Sequence, residues 1–223
     1  MKNIVVLFLL LPVFSFAQLI TSLGIKTGVN FPNQYSKILK PSFLSKDLKK
    51  RTYILGISAR KKINADLNLG IEVFYEERGW QQGDYVLDTA LLVIVPGNKN
   101  FIYSFLTFPF LIEYNRSFKK IKIGTNFGAN ISYRLGGTIK TPSGTIGTTT
   151  SLIRPDYHSP TIDYGMLGSI YTNIPLSSQF QLNIEFRHYQ SFNGIGSTPI
   201  EKTFKHLGNI LSFSLLYVFE KEK

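Results

Sequence analysis

Apolar and polar residues alternate along eight separate stretches of this chain, joined in turn by long and by short connections. The clearest stretch is 121–135. Ile121, Ile123, Thr125, Phe127, Ala129, Ile131, Tyr133 and Leu135 fall on one face of an extended strand, and Lys122, Gly124, Asn126, Gly128, Asn130, Ser132 and Arg134 on the other. A helix, with its period of 3.6, would mix the two sets.

The same alternation predicts strands over 19–31, 52–61, 67–77, 101–115, 161–173, 180–189 and 206–219. In the fourth stretch Leu106, Phe108, Phe110, Ile112 and Tyr114 oppose Thr107, Pro109, Leu111, Glu113 and Asn115. Pro109 has no N–H, so a bulge or local break is expected there. The links at 62–66, 116–120 and 174–179 are brief, whereas those at 32–51, 78–100, 136–160 and 190–205 are long. That rhythm predicts an all-β fold: an eight-stranded antiparallel up-and-down transmembrane β-barrel, with short periplasmic turns, longer outer loops and both termini periplasmic.

A soluble lipocalin-like barrel would show the same alternation with its apolar face inward, so the orientation rests on the polar face. That face is small, with Ser22, Gly24, Gly28, Gly56, Gly70, Gly124, Gly128, Gly165 and Gly208 among its members, as a crowded eight-stranded interior requires. Its charges also balance. Lys26, Arg60, Lys122, Arg134 and Arg187 stand against Glu72, Glu76, Glu113, Asp163 and Glu185, and these ten are expected to form a structural charge network inside the barrel. Phe31, Tyr53, Tyr75, Tyr114, Tyr133, Tyr164, Tyr217 and Phe219 lie near strand ends on the apolar face, placed as interfacial girdles.

The N-terminus adds a location. Lys2, an apolar run from Ile4 to Phe14 and Ser15-Phe16-Ala17 before Gln18 have the layout of a secretory signal peptide. The expected organisation is a signal peptide over 1–17 and one outer-membrane barrel domain over 18–223. No other apolar run reaches the length of a spanning helix. Cysteine is absent, which removes disulfides, zinc–thiolate sites, cysteine nucleophiles and a lipid-anchored cysteine. The net charge of +11 is spread along the chain. In an exported protein it points to lipopolysaccharide phosphates and other anionic envelope groups, not to nucleic acid.

Leu69-Gly-Ile-Glu-Val-Phe-Tyr-Glu-Glu-Arg-Gly79, Leu106-Thr-Phe-Pro-Phe-Leu-Ile-Glu-Tyr114 and Asp163-Tyr-Gly-Met-Leu-Gly168 resemble the third, fourth and sixth strands of the PorT-like outer-membrane β-barrel family. The resemblance extends over essentially the whole mature chain. It implies fold and outer-membrane location more than activity, although the family's namesake takes part in a protein secretion pathway.

Candidate chemistry is sparse. His188 falls on the apolar face near a strand end, His158 lies in a loop near Asp156 with no nucleophile marked, and His206 opens the last strand as a polar rim residue. The inward carboxylates read as a salt-bridge network, not a glycosidase pair, because a filled lumen offers no sugar-sized cleft. No metal or cofactor signature is present: Asp156 and His158 are too few ligands. Gly194 opens a glycine-rich outer turn without a strand-to-helix context, and 145–151 reads as a flexible or hairpin tip. Two outer segments carry interest. Residues 37–51 are basic and amphipathic, suited to lie on lipopolysaccharide. Residues 87–95 are apolar for a loop, as if strands three and four continued outward as a hairpin with an edge for a partner strand.

These readings converge on a non-enzymatic envelope component, not expected to be a pore. It would be a monomeric barrel in outer-membrane lipid and lipopolysaccharide and would meet envelope proteins through its outer loops. An accessory of a secretion or surface-assembly machine and an outer-membrane lipid-modifying enzyme are the alternatives.

Overall fold

The computed structural model describes residues 20–36, 51–88, 93–143, 147–153, 162–194 and 204–219. The proposed signal peptide and the segment 37–50 lie outside them. Among the described residues nine strands follow in order: β1 (Ser22–Ser36), β2 (Thr52–Lys62), β3 (Leu67–Asp88), β4 (Val93–Phe118), β5 (Ile121–Ser143), β6 (Gly147–Ile153), β7 (Ile162–Pro175), β8 (Phe180–Gly194) and β9 (Phe204–Val218). Eight of them close a ring. Each pairs antiparallel with the next, β5 pairs with β7, and β9 returns to β1. β6 stands outside the ring and pairs with the far end of β5.

One row of paired residues fixes the geometry of that ring. It runs Ser22, Arg60, Gly70, Leu111, Gly128, Leu167, Tyr189 and Gly208, and it meets β1 again at Pro32. The circuit therefore climbs ten residues, from position 22 to position 32, in eight strands. With a rise of about 3.3 Å per residue and strands about 4.8 Å apart, this tilts the strands by roughly 40°. The interior is then just wide enough for side chains to fill.

Burial settles the orientation of the alternation. Ile25 is 66% and Tyr53 75% exposed, whereas Lys26 and Glu113 are 1% and 0% exposed. A soluble barrel has the opposite arrangement, so the apolar face is the outer one. Among the described residues no helix is long and apolar enough to cross a membrane. The aromatic positions Tyr53, Tyr75, Tyr114, Tyr133, Tyr164 and Phe219 all lie exposed on the outer wall.

The strands outrun the alternation. β3 continues to Asp88 and β4 begins at Val93, paired directly as Asp88↔Val93, so the hairpin expected around 87–95 is present in the backbone. β5 extends to Ser143 and pairs with β6 from Ser143↔Gly147 onward, so 147–151 of the segment expected as a flexible or hairpin tip are strand, while 144–146 lie outside the described residues. Period-two patterning is required only where one face meets lipid and the other the lumen. In Trp80-Gln-Gln-Gly-Asp84 it has already faded although pairing continues.

Pro109 behaves partly as expected. The β3–β4 ladder has no pairs opposite Phe108 and Pro109, yet Ile71↔Phe110 and Phe74↔Thr107 on either side keep one register. Pro109 still pairs with Asn130 on β5. The true register shift lies between Ser104 and Phe105, where β5 accommodates the extra Leu135.

Side-chain oxygens shape two of the short turns. Asn64 Oδ1 accepts from the N–H groups of Asp66 and Leu67, and Ser177 Oγ accepts from those of Gln179 and Phe180. Between them, Lys119 and Lys120 join Phe118 to Ile121, with Lys119 at φ 56°. Interior glycines sit beside large neighbours: a Cβ on Gly208 would lie 2.7 Å from the Tyr189 hydroxyl, and one on Gly124 would lie 2.5 Å from the Tyr171 ring.

Two substitutions probe these positions. Gly208→Ala should destabilise the barrel by about 1–3 kcal/mol through overpacking, and by less than half as much in a Tyr189→Leu background. Lys119→Gly should stabilise it by about 0.5–1 kcal/mol by relieving the left-handed residue. Urea unfolding in lipid vesicles measures both, and equal effects of Gly208→Ala in the two backgrounds would refute the first.

Candidate functional site

The lumen is the most organised chemical environment of the chain. Because even-numbered residues of β1, β2, β3 and β5 point inward, the sequence period alone brings charges from distant positions face to face. Lys26 on β1 reaches Glu72 Oε1 on β3 at 2.8 Å and Glu185 Oε2 on β8 at 2.5 Å. Arg187 crosses the barrel to Glu72 Oε2 at 2.7 Å and grips Glu185 at 2.8 Å. Glu185 also accepts from Ser169 at 2.6 Å and Asn126 at 3.1 Å. Two cations and two carboxylates thus satisfy one another with little access to water.

Farther along β3, Glu76 and Arg78 form a second cluster. Arg78 donates to Glu76 at 2.5 Å and to Asp163 at 2.6 Å, and its Nη2 meets Ser132 at 2.8 Å. Its guanidinium stands over the rings of Phe105 and Tyr189, 4.7 and 4.9 Å from their centroids. Thr107 and Asn30 complete the bonding of Glu76, and Ser191 donates to Asp163. Nearer the short turns, Arg60 Nε approaches Glu113 Oε1 at 3.0 Å without the alignment of a hydrogen bond, and its guanidinium stands 5.6 Å over the Tyr171 ring.

Of the ten residues placed in the interior by the sequence, nine are buried there: Lys26, Arg60, Glu72, Glu76, Glu113, Arg134, Asp163, Glu185 and Arg187. Arg134 lies 5.9 Å from the Tyr103 ring. Lys122 is a correction. It has the right parity, but as the second residue of β5 it stands half-exposed at the mouth of the barrel, beside Lys119 and Lys120. Arg78, which an alternation ending at Glu77 leaves in a loop, is 1% exposed inside. Its parity with Glu72, Phe74 and Glu76 was the available signal. The balance of five cations and five carboxylates survives the exchange.

Apolar groups occupy part of the remaining space. Ile54, Phe74, Leu111, Leu167, Tyr189 and Ile210 form one buried cluster across the lumen. His206 is a second correction: it is not at the polar rim but 4% exposed, edge-on to Tyr103 and Phe105. His188 is exposed on the outer wall, as its parity predicts, with Nδ1 2.9 Å from Asn209 Oδ1. An amide neither activates a histidine as a carboxylate would nor serves as a nucleophile. His158 and Asp156 lie outside the described residues. Among those described, no group of three potential ligands is placed to hold a metal ion.

A closed ring with a lipid-facing apolar wall and a charge-paired lumen defines a small transmembrane β-barrel. A family model for the outer membrane protein beta-barrel domain matches residues 16–196, so the chain belongs to that family and is a protein of the outer membrane. Comparison with curated proteins returned no match. Among solved structures it is similar to neisserial surface protein A (NspA), at 13% identity over 88% of this chain and 97% of that one, TM-score 0.45. It is also similar to OprG of Pseudomonas aeruginosa, at 10% identity over 89% and 96%, TM-score 0.46. A third is Ail, the attachment invasion locus protein of Yersinia pestis, in complex with the heparin analogue sucrose octasulfate, at 11% identity over 87% and 97%, TM-score 0.40.

Breaking the lumen network at one partner leaves a buried charge unmatched. Arg78→Met and Arg187→Met should each cost about 3–5 kcal/mol, and Arg60→Met less, because its contact with Glu113 is poorly aligned. Urea titration of the three variants in lipid vesicles checks the order. A cost for Arg60→Met equal to that for Arg187→Met would contradict it.

Proposed function

We propose that this chain is a non-enzymatic component of the outer membrane that acts through the parts of its strands and loops above the bilayer. The observation that carries the reading is the division of the molecule into a lumen crossed by ion pairs and a sheet that continues outward. Lys26, Glu72, Arg187 and Glu185 tie β1, β3 and β8 together through the space a channel would need. Beyond that plug β3, β4, β5 and β6 run on as a four-stranded sheet. In this reading the barrel sits as a monomer in lipopolysaccharide and presents the sheet to other envelope proteins.

The β6 edge supports a protein partner. β6 ends the sheet order, so one edge is unpaired among the described residues, and Gly147-Thr-Thr-Thr-Ser-Leu-Ile153 carries no charge to block an added strand. The same edge favours a second reading, an accessory of a secretion or surface-assembly machine, which the PorT-like motifs also imply.

Purified protein in planar bilayers should give no stepwise conductance, and a photo-crosslinker at Ser151 should capture an envelope protein in intact cells. Thr149→Lys, which charges the edge, should abolish that capture while leaving the barrel heat-modifiable on a gel. Steady channel conductance would overturn the reading, and crosslinks unaffected by Thr149→Lys would remove the β6 edge from it.

A further inference from the structure

Across the outer wall one row of paired residues runs Phe127, Gly168, His188 and Asn209, on β5, β7, β8 and β9. All four face lipid. Phe127 is itself exposed, and Gly168, His188 and Asn209 share the parity of exposed Ile170, Phe186 and Leu211. His188 Nδ1 lies 2.9 Å from Asn209 Oδ1, so Nδ1 carries the shared proton and Nε2 is left as an acceptor. The Asn209 amide keeps its N–H donors. Gly168, beside this pair, is a gap in the wall: within 4 Å an added Cβ would meet only the Asn126 carbonyl oxygen, at 3.9 Å.

The tilt of the strands decides what lies above and below that gap. With strands about 4.8 Å apart, a rise of about 3.3 Å per residue and a tilt of roughly 40°, the membrane normal moves to the next strand with about every two residues. From Gly168, in the direction in which the ring climbs, it reaches Gln190, two residues outward of His188, and then Lys205, two outward of Leu207. In the other direction it reaches Thr125, two residues inward of Phe127. Thr125, Gly168, Gln190 and Lys205 therefore form one column up the outer wall, roughly 24 Å long. Phe127 and Met166 flank it on one side, Ile170 and His188 on the other. Tyr164 and Phe192, with ring centroids 6.2 Å apart, mark the outer edge of the apolar belt. Gln190 and His188 lie inward of Phe192 on β8, and Lys205 pairs with Gly194 beyond it.

A polar pair facing hydrocarbon is costly unless a ligand meets it, and here a furrow and a cation are aligned with the pair. We infer, on the reading that the barrel stands in lipopolysaccharide, that this column binds one 3-hydroxyacyl chain of its lipid A. A lipid A phosphate lies at Lys205, the amide and hydroxyl of the chain meet Gln190 and the His188–Asn209 pair, and the methylenes run over Gly168 toward Thr125. A glycerophospholipid offers the phosphate, but its chains have no hydroxyl or amide at that depth. The gap is one glycine wide, the section of a single chain, and a second barrel is too broad to enter it.

Native mass spectrometry of the intact barrel in detergent tests the column with three probes: hexa-acylated lipid A, dioleoyl phosphatidylglycerol and dioleoyl phosphatidylcholine. Lipid A should be retained on the order of tenfold over the phosphatidylglycerol, and the choline lipid least. Gly168→Phe, which fills the furrow, should abolish that preference while leaving the barrel heat-modifiable. His188→Leu with Asn209→Leu should reduce it, and Lys205→Gln should weaken lipid A binding on the order of fivefold. Ile57→Phe, on the far wall, should change nothing. Lipid A retained by Gly168→Phe as by the wild type overturns the column and leaves the placement in lipopolysaccharide standing. A wild-type barrel that retains lipid A no better than the choline lipid overturns both. Equal retention of phosphatidylglycerol and lipid A overturns the hydroxyacyl assignment, and barrel dimers that Gly168→Phe dissociates overturn it in favour of a second copy. If Gly168→Phe does not fold, the His188→Leu, Asn209→Leu variant decides.

Discussion

Closure is the constraint on which the rest of this structure depends. In hydrocarbon an unpaired backbone N–H or C=O costs several kcal/mol, so a sheet that crosses a bilayer must return to its own first strand. Here β9 meets β1 over the whole of β1, from Ser22↔Val218 to Ser36↔Phe204. The return comes ten residues higher than the start. The resulting tilt sets a narrow interior, and the narrow interior sets the composition of the inward face. Glycine beside a large neighbour, as at Gly208 and Tyr189, is how a ring of eight strands fits side chains of different size into one cross-section.

The same narrowness explains the charges. Apolar side chains alone could fill the lumen, as the cluster around Leu111 and Leu167 does locally. Buried ion pairs are costly to desolvate, so their presence argues for a role in specifying register and cross-barrel alignment more than for a gain in stability. Glu72 and Glu185 share the same two cations, Lys26 and Arg187, which fixes β1, β3 and β8 relative to one another. Arg78 is held by two carboxylates and stands over two aromatic rings.

The ring was legible in the sequence because lipid and lumen demand opposite residues on opposite faces. That contrast gives period two through β5 and places nine of the buried charged residues by parity alone. The signal ends with the contrast. Beyond the closed ring the sequence loses its alternation while the backbone pairing goes on, through the outer reaches of β3 and β4 and the whole of β6. Arg78 was misplaced for that reason: it sits where the pattern weakens but the lumen has not yet ended. Lys122 was misplaced for the converse reason, since parity names a face but not a depth. His206 looked like a rim residue because a polar side chain at a strand start usually faces water, and only the three-dimensional position of Tyr103 and Phe105 shows it enclosed.

The level at which β5 changes partner can be located from pairing alone. β5 pairs with β7 as far as Tyr133↔Ile162 and with β6 from Gly137↔Ile153 onward. Between them lie Arg134, Leu135, the extra residue of the β4–β5 register shift, and Gly136, where an added Cβ would have no neighbour within 4 Å. Both partners of β5 therefore change register or identity within the same three residues. Among the described residues β5 thus exchanges β7 for β6 at that level, and β6 is the last strand of the sheet order. The exposed ring of Tyr133 lies on the outer wall at the same height, where an interfacial aromatic is expected. The change of partner, the register shift and the aromatic ring fall within five residues of one strand, from Tyr133 to Gly137, as expected where a lipid-facing wall gives way to a sheet that no longer needs two contrasting faces.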